Sequence, residues 1–177
     1  MFHSPLMEDI KSLTNVREFM EADHKRLDKL LDKAFADQEH IDHESYDGFR
    51  QGLLKHIGME EKILLPLAQK LRGGEPLQLA AKLRLDHGAL ASLLVPAPTP
   101  KIAHAIRTIL EAHNPLEEGP NGVYEQCLDL IGNDSDILLQ LMSAKDVPVA
   151  TRLDTPKVLQ GIKNAMIRAG FSETLLD

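Results

Sequence analysis

Four stretches of this chain repeat apolar residues at intervals of three and four, and in each the stripe is broken by a histidine. The first carries Met20, His24, Leu27, Leu31 and Ala34. The second carries Leu53, His56, Glu60, Leu64 and Leu67. The third has Leu83, His87, Leu90 and Leu94, and the fourth Ile102, Ile106, Ile109, His113, Glu117 and Leu128. This spacing marks the buried face of an α-helix. Strand-like alternation is hard to find anywhere in the sequence. The expected fold class is all-α, with a core that takes in side chains that ordinarily stay in water.

Local punctuation sets the expected boundaries. Thr14 or Asn15 can cap a first helix reaching about Asp37, and Asp42 can cap a second that ends near Gly73 and Gly74. A third covers about residues 75–95 and stops at PAPTP, and a fourth covers about residues 100–131. Long helices with short connections predict an up-down-up-down four-helix bundle with additional C-terminal helices. Residues 1–145 are expected to form that bundle, with a short trailing helix near residues 135–144. Residues 146–177 then supply a linker and an amphipathic helix over residues 156–169. Its stripe is Val158, Leu159, Ile162, Ala165, Met166 and Ala169. That stripe suits packing on the bundle or a homodimer contact, so the chain is expected to be a monomer or a homodimer through this helix.

The polar interruptions are matched in spacing and in height. Four residues advance about 6 Å along a helix and only ~40° around it, so His56 and Glu60 point the same way, as do His113 and Glu117. In an antiparallel arrangement the four histidines fall within about a turn of one level. The order His, His-xxx-Glu, His, His-xxx-Glu also repeats, as two similar helical hairpins would. Two carboxylates and four imidazoles in one core layer are costly unless something compensates. No Lys or Arg shares the stripes near that layer. Metal ions resolve the cost, because they take neutral imidazole nitrogens and ionised carboxylate oxygens together. Six ligands suit two ions about 3.5 Å apart, bridged by Glu60 and Glu117. Imidazole with carboxylate and no thiolate points to iron, with manganese or zinc as substitutes. His3, His40, His43 and His104 lie at ends, at turns or off the stripe, and are expected to be solvated.

Composition narrows the partners. The formal net charge of −7 argues against nucleic acid, and the absence of any apolar run near ~20 residues argues against a membrane. A single cysteine, Cys127, excludes an internal disulfide framework and suits a reducing compartment. The start, MFHSPLMEDIKS, lacks the pattern of a secretory signal, so the expected location is cytoplasmic.

The segments ADHKRLDKLL, KHIGMEEKILLPLA, LDHGALASLL and AHNPLEE resemble the hemerythrin-like, or HHE, cation-binding family, over about residues 14–132. The resemblance implies a four-helix bundle holding a non-haem di-iron centre that meets oxygen. It carries over His24, His56, Glu60, His87, His113 and Glu117 as the ligands. Oxygen-carrying hemerythrins have a second histidine one turn along the third helix, where this chain has Ala91. Simple oxygen carriage is thereby put in doubt, and a coordination position is left open. A ferritin-like site is excluded, because it needs two Glu-xx-His motifs and only Glu21-Ala-Asp-His24 is present.

Pro120 cannot donate to the Leu116 carbonyl, so the fourth helix is expected to kink or open beside Glu117. That opening is either a local adjustment or a mouth into the site, with Tyr124 and Cys127 beyond it. Glu61 and Glu118, ~100° around the helix from the bridging residues, read as solvated charge, with labile or supporting ligand roles as alternatives. The functional expectation is a di-iron protein that binds or senses oxygen, nitric oxide or iron. The alternatives are an enzyme that decomposes peroxide or acts as an oxidase, and a metal-dependent regulatory interaction protein.

Overall fold

Capping residues begin the helices. The chain is described by a computed structural model that covers residues 13–37 and 39–177, so His3 and the first part of the expected bundle lie outside the described residues. The Asn15 side chain accepts a hydrogen bond from the Glu18 amide at 3.0 Å and opens α1 (Val16–Ala34). Asp42 accepts from the Ser45 amide at 3.1 Å and opens α2 (His43–Met59). A single π turn (Glu60–Leu64) joins α2 to α3 (Leu65–Leu71). After α4 (Ala80–Leu93), Thr99 caps α5 (Pro100–Glu118), with Pro100 in the first turn, where no amide is needed. The shorter α6 (Val123–Ile131) and α7 (Ser135–Met142) follow, and α8 (Pro156–Ala169) is capped by Thr155. No strand occurs among the described residues, and no described helix is long and apolar enough to cross a membrane.

Several boundaries depart from the sequence reading, each for a local reason. The first helix stops at Ala34, short of Asp37, because the Asp42 amide takes the Ala34 carbonyl at 3.0 Å and turns the chain. The third begins at Ala80, not near Glu75, since Glu75 precedes Pro76 and is steered out of the helical region. The second is not uniform. Its π turn, in which the Leu65 amide reaches back to the Glu60 carbonyl, lies just ahead of Pro66, which has no amide to donate. The fourth does not run on to Ile131. It ends at Glu118, the chain passes through Asn121 at φ 57°, and a new helix starts at Val123. Gly122 permits this turn: a Cβ there would stand 2.5 Å from the Glu117 carbonyl oxygen and 2.7 Å from that of Gly119.

The apolar core is split in two. One part contains Leu27 and Leu31 of α1, Phe49 and Leu53 of α2, Leu90 and Leu93 of α4, and Ile106 and Ile109 of α5. The other contains Val16 and Met20 of α1, Leu64 and Ala68 beyond α2, Leu77, Ala80 and Leu83 around the start of α4, and Val123, Tyr124 and Cys127 of α6. Each long helix therefore passes from one part to the other, and successive helices do so in opposite senses. The interrupting histidines sit at the crossing. Helix α8 packs along α4. Ile162, Ala165, Met166 and Ala169 are buried there, whereas Leu159 of the expected stripe is exposed.

Candidate metal centre

The crossing layer consists of the six polar stripe residues. His24, His56, Glu60, His87, His113 and Glu117 are all at most 6% exposed. Their facing atoms form two groups, His24–His56–Glu60–Glu117 and Glu60–His87–His113–Glu117, with the atoms of each group within 4.8 Å of one another. The two glutamates belong to both.

Each glutamate offers one oxygen to each group. Glu60 Oε1 lies 3.5 Å from His56 Nε2, and its Oε2 lies 3.0 Å from His87 Nε2. Glu117 Oε2 lies 3.3 Å from His24 Nε2. Its Oε1 lies 3.0 Å from His113 Nε2 and 3.7 Å from His87 Nε2. All four imidazoles thus present Nε2 inward, and the carboxylates stand between the groups as bridging ligands would.

Outside this layer, every Nδ1 meets another carboxylate. Asp23 Oδ2 lies 2.9 Å from His56 and Glu61 Oε1 2.8 Å from His87. Asp86 Oδ2 lies 3.1 Å from His113, and Glu118 Oε1 2.5 Å from His24. The contacts form a closed circuit: α1 holds α2, the π turn holds α4, α4 holds α5, and α5 holds α1. Basic side chains brace the acids in turn. Arg26 donates to Asp23 at 2.7 Å, Arg84 to Glu61 at 3.2 Å, and Lys82 to Asp86. A neutral imidazole donating Nδ1–H to its carboxylate presents a lone pair at Nε2, which is the form a metal ion takes. The expectation of solvated charge at Glu61 and Glu118 is corrected here, because each is turned onto a histidine ring.

Electrostatics shows what the layer does with no ion bound. Burial alone would lower the imidazole pKa of His56, but Glu60 and Asp23 outweigh it and push the group up to about 10. His87 is raised to about 11, against burial, by Glu117, Glu60 and Glu61. His113 is raised to about 9, again against burial, by Asp86 and Glu117. His24 is raised the same way by Glu117 and Glu118. Burial would raise Glu117, yet the facing His113, His24 and His87 hold it well below the usual carboxylate range. Protons therefore stand in for cations in the metal-free layer.

Protons do not complete it. Glu60 Oε2, His87 Nε2 and Glu117 Oε1 are buried with no well-formed hydrogen bond, although they lie close together. Buried polar atoms are seldom left so. An ion in the second group would satisfy all three, and the donor set of imidazole and carboxylate fits iron, manganese or zinc.

The first group is filled differently. The Tyr124 hydroxyl lies 2.5 Å from Glu60 Oε1, 3.1 Å from His56 Nε2, and 3.2 Å from both His24 Nε2 and Glu117 Oε2. Burial, with Glu60 and Glu117 beside it, holds this phenol protonated well above its ordinary range. Tyr124 therefore stands inside the layer, and not beyond a mouth to it. Cys127 is buried nearby, its thiol pushed up to about 12 by burial and by Glu60, and so is unreactive as a nucleophile. His40, His43 and His104 are exposed.

Sequence reasoning missed Asp23, Asp86 and Tyr124. Each stripe ligand pair has an acid beside it in sequence, Asp-His at 23–24 and 86–87 and Glu-Glu at 60–61 and 117–118, but Asp-His also occurs off the stripe at 42–43, so the doublet alone does not single out the acids. Tyr124 lies beyond the break between α5 and α6, so helical spacing from Glu117 gives no signal for it. No protein-family model, curated protein or solved structure matches this chain.

Proposed function

We infer that the chain is a hemerythrin-like, non-haem di-iron protein that binds or senses oxygen, nitric oxide or iron. One observation carries the reading: two groups of buried ligand atoms share both carboxylates, and three atoms of the second group are buried without a well-formed hydrogen bond. The alternating direction of the long helices and the closed circuit of carboxylate–imidazole contacts support an up-down-up-down four-helix bundle, with α8 laid against it.

His24 and His56 would hold one ion, His87 and His113 the other, and Glu60 and Glu117 would bridge them. When bound, a pair of redox-active ions supplies electrons and an accessible coordination position to a small ligand such as oxygen, nitric oxide or peroxide. The chain's own part is orientation. Asp23, Glu61, Asp86 and Glu118 fix the rings with Nε2 inward, and the two apolar parts of the core exclude bulk water on either side. Imidazole with carboxylate and no thiolate favours iron, with manganese or zinc as substitutes.

Metal analysis of protein produced with iron, with an optical spectrum before and after exposure to air, tests the reading. About two ions per chain and new charge-transfer bands in air are expected. A fully folded protein without metal would overturn it, and steady turnover of peroxide would replace binding with catalysis.

A further inference from the structure

We propose that the phenol oxygen of Tyr124 is a fifth protein ligand to the ion held by His24 and His56. This rests on the two-ion reading above and adds an asymmetry to it.

The argument is one of distances. Ions of this class hold nitrogen and oxygen ligands at about 2.0–2.2 Å, which places neighbouring ligands of one ion about 3 Å apart. The Tyr124 oxygen is 2.5–3.2 Å from the facing atoms of all four ligands of the first group. It therefore stands at the separation of one ligand from another, with every other member of the set as its neighbour. A group that only braced the site from outside would touch one or two ligands, as Asp23 and Glu118 do.

Hydrogen bonding alone leaves the hydroxyl poorly served once the site is loaded. A phenol has one proton to give, and the closest acceptor is Glu60 Oε1. The contacts with His24 and His56 are hydrogen bonds only while those Nε2 atoms carry protons. Ligation turns both lone pairs to the ion, and the fully buried oxygen keeps the bond it donates to Glu60 but loses both groups from which it accepted. Joining the ion replaces them. In that step the phenol O–H bond breaks, a metal–oxygen bond forms, and the proton leaves to solvent. No electron moves.

The backbone is built for this placement. The helix ends at Glu118, and the turn through Asn121 and Gly122 lets α6 restart so that Tyr124 enters the layer. A side chain at Gly122 would collide with two backbone carbonyls of the turn. Among the described residues the second group has no counterpart, and it is there that the three atoms without a well-formed hydrogen bond lie. The two ions are thus inequivalent: one has five protein ligands, and the other has four and a position open to an external ligand.

The test is the optical and resonance Raman spectrum of protein loaded with ferrous iron and oxidised in air, read with iron per chain. The chain has two tyrosines, and Tyr46 lies in the other part of the core. A phenolate-to-ferric band with phenolate ring vibrations is expected in the wild type and in Tyr46→Phe, and is expected to be lost in Tyr124→Phe. Should Tyr124→Phe fail to fold, Tyr46→Phe decides alone, since any phenolate signal in it comes from Tyr124. Two irons per chain without a phenolate signal would overturn the ligand assignment and leave the metal reading standing. A folded wild-type protein that takes up no iron would overturn both.

Discussion

Glu118 on α5 places its Oε1 2.5 Å from Nδ1 of His24 on α1, so the last of the long helices is tied to the first. The same kind of contact joins each earlier pair, and every tie ends on an imidazole that faces the layer. The carboxylates act through the rings they hold. Such supporting contacts commonly contribute 10–100-fold in metal affinity.

Asp86→Asn and Glu118→Gln keep shape and remove charge. Both are expected to weaken iron binding by roughly 10–100-fold, with stoichiometry retained at saturating metal. Titration against a competing chelator measures this. Wild-type affinity in both variants would show that the acids do not orient the rings.

Proton release on loading is the second expectation. His56, His87 and His113 titrate at about 10, 11 and 9 in the metal-free fold, against 6.5 in an unfolded chain. Their protonation stabilises that fold fully below about 6.5, and the contribution is lost as pH rises through about 9 to about 11. An ion requires the neutral rings, so loading at pH 7 should expel protons from them, and affinity should climb with pH across the same range. Calorimetry in buffers of different ionisation heat counts the protons, and a count near zero at pH 7 would contradict the charge state described.

Metal should also stabilise the fold. Free metal at a hundredfold excess over its dissociation constant contributes about 2.7 kcal/mol, or roughly 5–10 °C in Tm for a chain of this length. A chelator should remove that increment from the wild type. His56→Ala should lose metal and melt lower under iron-loaded conditions, and a loss of metal with unchanged melting would break the link between binding and stability.

Ala91 lies one turn after His87 and is partly buried. Ala91→His is expected to fill the open position of the ion held by His87 and His113, and so to weaken azide binding there. Azide titrations of both proteins, matched for metal content, read the effect. Equal affinities would mean that the position is not open from this side.

The buried faces were legible because a helix repeats every 3.6 residues and a histidine in an apolar stripe stands out against it. All six stripe residues are buried. Asp23 and Asp86 were not legible, since an acid one residue before a stripe histidine looks like ordinary helix surface until the neighbouring helix is in place. Tyr124 was hidden by Pro120: once the helix is broken, the periodicity that would have carried the reading onward no longer applies. The π turn leaves no periodic trace, because one extra residue in a single turn is smaller than the uncertainty of a stripe. The late start of α4 was readable from Pro76, which steers Glu75 away from helix.

The divided core bears on how the molecule opens. Between the Leu27–Ile109 side and the Val16–Cys127 side lies a layer of ionic groups, whose mutual attraction weakens wherever water enters. Emptied of cations, the molecule should behave as two cooperative units sharing a polar seam, and loaded, as one. Amide hydrogens of α6 and of α1 ahead of His24 should then exchange earlier than those of α4 beyond His87 in the empty protein. Loading should bring the two sets together, so the ion pair would set the cooperativity of the whole chain.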